Sequence, residues 1–149
     1  MALIKSISGI RGTIGGNVGE NLTPQDIVEC TAAFGAWTLK KTKNPKIIVG
    51  RDARISGELV NQLVVSTLRM LGITVVDLGL STTPTVEIAV PLEQAGAGII
   101  LTASHNPKQW NALKFLNEKG EFISAKDGQD VLNLIGTGKI KYASVEKLG

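Results

Sequence analysis

Lys46-Ile47-Ile48-Val49-Gly50-Arg51-Asp52 opens the stretch that decides the fold, and Ile73-Thr74-Val75-Val76-Asp77-Leu78 closes it. Lys46–Val49 and Ile73–Leu78 are short, β-branched apolar runs, the composition of strands buried on both faces. Between them, after Ser56, Val60, Leu63, Val64, Thr67, Leu68 and Leu71 recur at helical spacing, and Gly72 supplies the stop. Gly98-Ile99-Ile100-Leu101-Thr102 repeats the strand signature further on. Strands alternating with helices of this length predict an α/β fold, a layered sandwich with a mostly parallel sheet flanked by helices.

Working outward, a first helix is predicted from about Pro24 to Lys41. Thr23 suits the N-cap, Pro24 the first helical position, and Asp26 the positive end of the dipole. Ile27, Cys30, Phe34 and Trp37 form its apolar face. A third helix is expected near Thr83-Pro84, broken or restarted at Pro91. Leu113-Lys114-Phe115-Leu116 and Glu121-Phe122-Ile123 flank Asn117-Glu118-Lys119-Gly120 as in a hairpin. Gln129 to Ile135 reads as helix, ended by Gly136-Thr137-Gly138. Residues 1–138 thus form one α/β domain, and residues 139–149 are expected to be a linker toward a second domain.

Composition narrows the function classes. The 149 residues are 43% hydrophobic, enough for a real core, and the net charge is only +3. The 16 Lys and Arg are scattered, with two Trp, one Tyr and three Phe for stacking, so nucleic acid is not an expected partner. Anionic small molecules fit the mild positive charge. The single Cys30 sits in a helical apolar stripe and reads as a packed core thiol. Met1-Ala2-Leu3-Ile4-Lys5 leads into no long apolar run, and no later run has membrane length. A cytoplasmic location and no membrane partner are the expectation.

In an open parallel sheet, ligands collect beyond the carboxyl ends of the strands. Three polar, glycine-containing or strand-following segments fall near such ends: Ser8-Gly9-Ile10-Arg11-Gly12, Gly50 to Gly57, and Thr102-Ala103-Ser104-His105-Asn106-Pro107. Ser104 directly follows a buried strand, and Pro107 could open a helical turn whose free N–H groups would receive a phosphoryl group. By spacing alone an ordinary strand-to-helix cap is the favoured reading of Ser104. His105, the one histidine, reads by itself as structural or surface-placed. The glycines from Gly12 to Gly19 do not make a dinucleotide fingerprint, Gly136-Thr137-Gly138-Lys139 is no phosphate loop of the Walker type, and no nucleophile elbow surrounds Ser104. Asp127 and Asp130 read as helix-dipole partners and solvated charges, not metal ligands.

Thr102-Ala103-Ser104-His105-Asn106-Pro107, followed by Asn111-Ala112-Leu113-Lys114, resembles the phosphoserine signature of the α-D-phosphohexomutases. That superfamily includes phosphoglucomutase, phosphomannomutase and phosphoglucosamine mutase. Ser8 to Gly12 resembles its N-terminal phosphate-contacting loop, and Gly50-Arg51-Asp52 with Arg54, Ser56 and Gly57 its second-strand segment. The three motifs stand in the family's order across nearly the whole chain. Ala112 stands where the family usually has glycine.

The resemblance implies the fold of the family's first domain and a phosphoryl shuttle. Phosphorylated Ser104 would donate to a hexose monophosphate, and the other phosphate of the bisphosphorylated sugar would then return to Ser104. Lys114 is implied in proton transfer or phosphate holding and Arg11 in binding phosphoryl oxygens. His105 and Asn106 would shape the loop, with His105 also toward substrate. Arg51 and Arg54 would be ion-paired scaffold with Asp52. Mg²⁺ would meet the Ser104 phosphoryl oxygen, its other ligands lying in an absent domain, and a hexose 1,6-bisphosphate would act as activator. The full-length parent would be an intramolecular phosphotransferase acting on phosphosugars, and this domain alone would be inactive. The other reading is a non-catalytic single-domain module that binds phosphosugars or a partner protein. An apolar inter-domain face near the C-terminal end would meet the remaining domains of the parent or allow self-association.

Overall fold

The computed structural model describes residues 2–43 and 45–149; Met1 and Asn44 lie outside the described residues. Six strands and four helices follow in the order β1 (Leu3–Ser6), β2 (Gly9–Thr13), α1 (Pro24–Lys41), β3 (Lys46–Arg51), α2 (Gly57–Met70), β4 (Thr74–Leu80), α3 (Thr83–Leu92), β5 (Ala97–Leu101), β6 (Trp110–Leu116) and α4 (Ala125–Leu134). The strands form one sheet in the order β1-β2-β6-β5-β3-β4.

The sandwich is as expected, and the sheet is mixed. β5, β3 and β4 are mutually parallel, joined by the crossover helices α2 and α3. β6, β2 and β1 extend it antiparallel. The parallel half is the half built from strand-helix-strand units; β1 and β2 are joined by the two residues Ile7 and Ser8, a connection too short for a parallel pair. So of Ser8 to Gly12, expected as a phosphate-contacting loop, all but Ser8 lie in strand β2, and Arg11 lies within the sheet.

Alternation along the strands divides the core in two. Ile47, Val49, Ile99, Leu101, Leu113 and Phe115 face α1, α2 and α4 in the larger cluster. Ile48, Ile100 and Leu116 point the other way, against Val86, Ala89 and Val90 of α3. Phe34 of α1 stacks on Phe115 of β6 at 4.1 Å between ring centroids, with the planes 6° apart. α1 runs over the predicted span. Its Thr23 side chain accepts from the Asp26 N–H while the Asp26 carboxylate accepts from the Thr23 N–H, a reciprocal cap.

Three local expectations change. α3 continues through Pro91, which falls in the last turn and forfeits a single backbone bond there. The hairpin after β6 shrinks to one bridge, Leu116 to Phe122, beyond a turn closed by Gly120. α4 begins at Ala125, capped by Ser124, rather than near Gln129. Residues 139–149 carry one short 3-10 helix, Val145–Lys147, and return along the end of α2, where the Ala143 N–H donates to the Met70 carbonyl and the Gly149 N–H to the Arg69 carbonyl.

Candidate active site

The carboxyl ends of β3 and β5 lie side by side, with Arg51 in register with Leu101. The loops that leave them therefore meet. Ser104 stands in the second loop with φ at +53°, a left-handed conformation that a non-glycine residue adopts at a cost of about 1–2 kcal/mol. Residues 104–105 and 108–109 form turns, and the helical turn foreseen at Pro107 is a single one, closed by the Trp110 N–H on the Pro107 carbonyl at 3.0 Å. One side chain ties these turns together. The Arg54 guanidinium donates to the carbonyls of Ser104 (2.9 Å), Asn106 (2.8 Å), Pro107 (2.8 Å) and Trp110 (3.1 Å).

The amide side of Ser104 is held as well. Its N–H donates to Thr102 Oγ1 at 3.2 Å, and Thr102 Oγ1 donates to Asp52 Oδ2 at 2.6 Å. Asp52 also accepts from the Arg54 backbone N–H through Oδ1, and its Oδ2 faces Arg54 Nε at 3.4 Å, an ion pair without an aligned hydrogen bond. The expected Asp52–Arg54 pair is present. Arg51 does otherwise and donates to the Asp52 backbone carbonyl at 3.4 Å.

Lys114 reaches this loop from β6 and donates from Nζ to Ser104 Oγ at 2.7 Å. Its backbone pairs with Gly9 on one side and Ile100 on the other, which fixes where along the sheet the ammonium emerges. Arg11 is opposite Ala112, two residues along β6 from Lys114, so Arg11 and Lys114 emerge on one face. That face is the one α3 covers farther along, over β3 and β5. Gly9 makes the approach possible: at φ +146° it lies so near Leu113 that a Cβ would run into the carbonyl there. Ala112 in the glycine position of the motif is fully buried in the sheet and causes no break in pairing.

Arg11, Ser104, His105, Asn106 and Lys114 share a cleft of about 360 Å³ with Ala103, Pro107 and Ala112. Among the described residues no acidic side chain lines it, so its two cations are uncompensated, which favours an anionic ligand of phosphate size. The cleft thus gathers every expected site residue. His105 is exposed at its rim, and Asn106 contributes its backbone, with its N–H on the Ala103 carbonyl at 3.0 Å. Two participants are not evident from sequence. Thr102 enters there only as a strand end and the first residue of the serine signature, and Arg54 only as ion-paired scaffold; the signal is the cluster Asp52, Arg54 and Ser56 directly after a buried strand.

Among the described residues, no three His, Cys, Asp or Glu side chains gather where they could hold a metal. Asp52, the carboxylate tied to the serine loop, is committed to Thr102 and Arg54. The donor set of this chain therefore does not fit a magnesium site by itself. Cys30 is a core thiol as expected: burial pushes its pKa up to about 12, which leaves it protonated and unreactive at neutral pH. Among the described residues no helix is long and apolar enough to cross a membrane.

Comparison with known proteins agrees with this architecture. The family model described as phosphoglucomutase/phosphomannomutase, alpha/beta/alpha domain I, matches residues 3–140. A phosphoglucosamine mutase of Pediococcus pentosaceus is 40% identical over 119 residues, 78% of this chain and 25% of that protein. A probable phosphoglucosamine mutase of Pyrococcus abyssi is 32% identical over 142 residues, 95% of this chain and 30% of that protein. The crystal structure of a putative phosphomannomutase from Thermus thermophilus superimposes with a TM-score of 0.80 at 27% identity, over 91% of this chain and 30% of that one. The chain spans 25% to 30% of the length of these relatives. It belongs to the phosphoglucomutase/phosphomannomutase family and has the fold of that family's domain I.

Proposed function

We propose that this chain is the phosphoserine-bearing domain of a phosphohexomutase, an enzyme that interconverts hexose 1-phosphates and 6-phosphates through a bisphosphorylated sugar. One observation carries the reading: Lys114 Nζ lies 2.7 Å from Ser104 Oγ, at a cleft lined by a second cation and no acid among the described residues. A lysine on an ordinary strand has no reason to hold the hydroxyl of a serine in a left-handed turn.

In the forward step the phosphoryl group passes from Ser104 Oγ to a sugar hydroxyl. The P–Oγ bond breaks, a P–O bond to the sugar forms, the hydroxyl loses its proton, and Oγ must gain one. Lys114 is placed to offset the charge developing on Oγ and to hand it a proton, and the proton given up by the sugar hydroxyl restores the ammonium, so the exchange is neutral overall. In the return step Oγ attacks phosphorus on the other end of the bisphosphate and gives its proton up, with the sugar oxygen as leaving group. The Arg11 fork suits the equatorial phosphoryl oxygens, whose charge spreads in a loose transition state. His105, at the rim, would meet the sugar. Magnesium would be held by the phosphoryl group on Ser104 together with carboxylates from outside these residues, and would supply neutralisation of phosphoryl charge there. A hexose 1,6-bisphosphate charges the serine, and the cytoplasm supplies such sugars. The chain spans 25% to 30% of the length of its relatives, and steady turnover is assigned to a longer parent in this reading.

The test is transfer against mere binding. Incubated with a hexose 1,6-bisphosphate labelled in its phosphates, the chain should take up label in a form stable to denaturation. Ser104→Ala should take up none. Reversible binding by both proteins with no stable label would support a binding module and overturn the proposal.

A further inference from the structure

We infer that Arg54 is the positioning residue of the phosphoryl-accepting serine: it sets where Ser104 Oγ stands without touching the reacting atoms. The inference rests on the proposed function for its catalytic meaning, and on geometry alone for its structural one.

Both peptide groups that flank Ser104 are tied to the segment leaving β3. On the carboxyl side, Arg54 Nη2 holds the Ser104 and Asn106 carbonyls at 2.9 and 2.8 Å, and Nη1 holds those of Pro107 and Trp110 at 2.8 and 3.1 Å. On the amide side, Asp52 acts through Thr102 on the Ser104 N–H. Holding the N–H and C=O of one residue fixes the two torsions between them. That is what keeps Ser104 at φ +53°, where its side chain meets Lys114. Arg54 itself has little freedom to move. Its side chain is only 12% exposed, its Nε faces Asp52, and its own N–H is bound to the same carboxylate.

The charge and shape of the guanidinium both matter. Four carbonyl oxygens brought to one place repel one another unless a cation lies between them. Only a planar fork presents donors to four separate oxygens. A lysine has three donors on one nitrogen and cannot match the spread from Ser104 to Trp110. All four Nη donors of Arg54 are engaged and its Nε is buried facing Asp52, which separates its task from that of Arg11.

The experiment compares wild type with Arg54→Lys, Arg54→Ala and Thr102→Val, using two readouts. Backbone amide NMR relaxation reports the order of residues 104–110, and labelling from hexose 1,6-bisphosphate reports the rate of Ser104 phosphorylation. The melting temperature reports the fold, and Thr102→Val tests the amide side should an Arg54 variant fail to fold. The expected result is fast motion confined to 104–110 in both Arg54 variants, with α1 and β3 as rigid as in wild type. Labelling should slow by about 100-fold, the penalty for a reacting atom displaced by about 1 Å. Lysine should not rescue either readout. A loop that stays ordered in Arg54→Ala, or labelling that survives the loosened loop, would overturn the inference; full rescue by lysine would overturn the role of the fork. If wild type itself takes no label, the proposed function fails, and the relaxation data still decide whether Arg54 holds the loop.

Discussion

Ser104 and Lys114 are ten positions apart in sequence and 2.7 Å apart in the fold. What brings them together is residue-level geometry that no single stretch of sequence displays. The serine signature and the lysine are legible as a family resemblance, yet their mutual contact depends on Gly9, Arg54 and Thr102, which act on backbone positions. Arg54 reads in sequence as ion-paired scaffold and not as a clamp on the serine loop, because a side chain that binds carbonyls leaves no pattern of partner residues. If Lys114 serves the transfer, Lys114→Met should leave the melting temperature nearly unchanged, since its ammonium is partly exposed and bonded only to a hydroxyl. Labelling of Ser104 should slow by about 100-fold or more, the range for a general acid-base group. Calorimetry and the labelling time course check the two halves separately. A fall in melting temperature with labelling intact would make Lys114 scaffold.

At the scale of elements, α1 and α2 are legible because their apolar faces and caps are local facts. Thr23, Pro24 and Asp26 announce the start of α1, and the same residues form its cap. The antiparallel half of the sheet is harder. β1 is four residues with one half-buried position and three exposed, too short and too open for an alternation to register. The loop after Ser104 makes only single turns, one of them closed by the Trp110 N–H on the Pro107 carbonyl, and a distant arginine gathers its carbonyls, a tertiary contact that local sequence does not display. α4 is legible only in its second half, since Lys126, Asp127 and Gly128 offer no apolar repeat. Gly9 links element to site. At the start of β2 it permits close approach to β6, so Gly9→Ala should force β2 away from Leu113 and Lys114. A loss of about 2 kcal/mol or more in denaturant unfolding is expected, with slower Ser104 labelling in protein that remains folded. Unchanged stability would show that the strand pair yields without cost.

On the scale of the molecule, the layered α/β architecture is readable from the alternation of apolar runs, whereas whatever completes the site leaves no trace in that pattern. Met70, Tyr142, Val145 and Leu148 remain exposed beside the returning C-terminal segment, and Val28, Leu63, Met70 and Tyr142 line an apolar hollow of about 480 Å³. Such a surface is poorly adapted to water and suits another domain or another copy. Light scattering over a concentration series should show rising mean mass, reduced in Met70→Glu; a constant monomer mass would mean that this face needs no cover. The cleft at Ser104 is small and cationic, and its purpose turns on a single atom. The decisive measurement is therefore peptide mapping by tandem mass spectrometry after incubation with a hexose 1,6-bisphosphate. The account predicts one phosphoryl group, on Ser104, absent in Ser104→Ala and slow to form in Lys114→Met. Phosphate on any other residue, or the same uptake without Ser104, would contradict it.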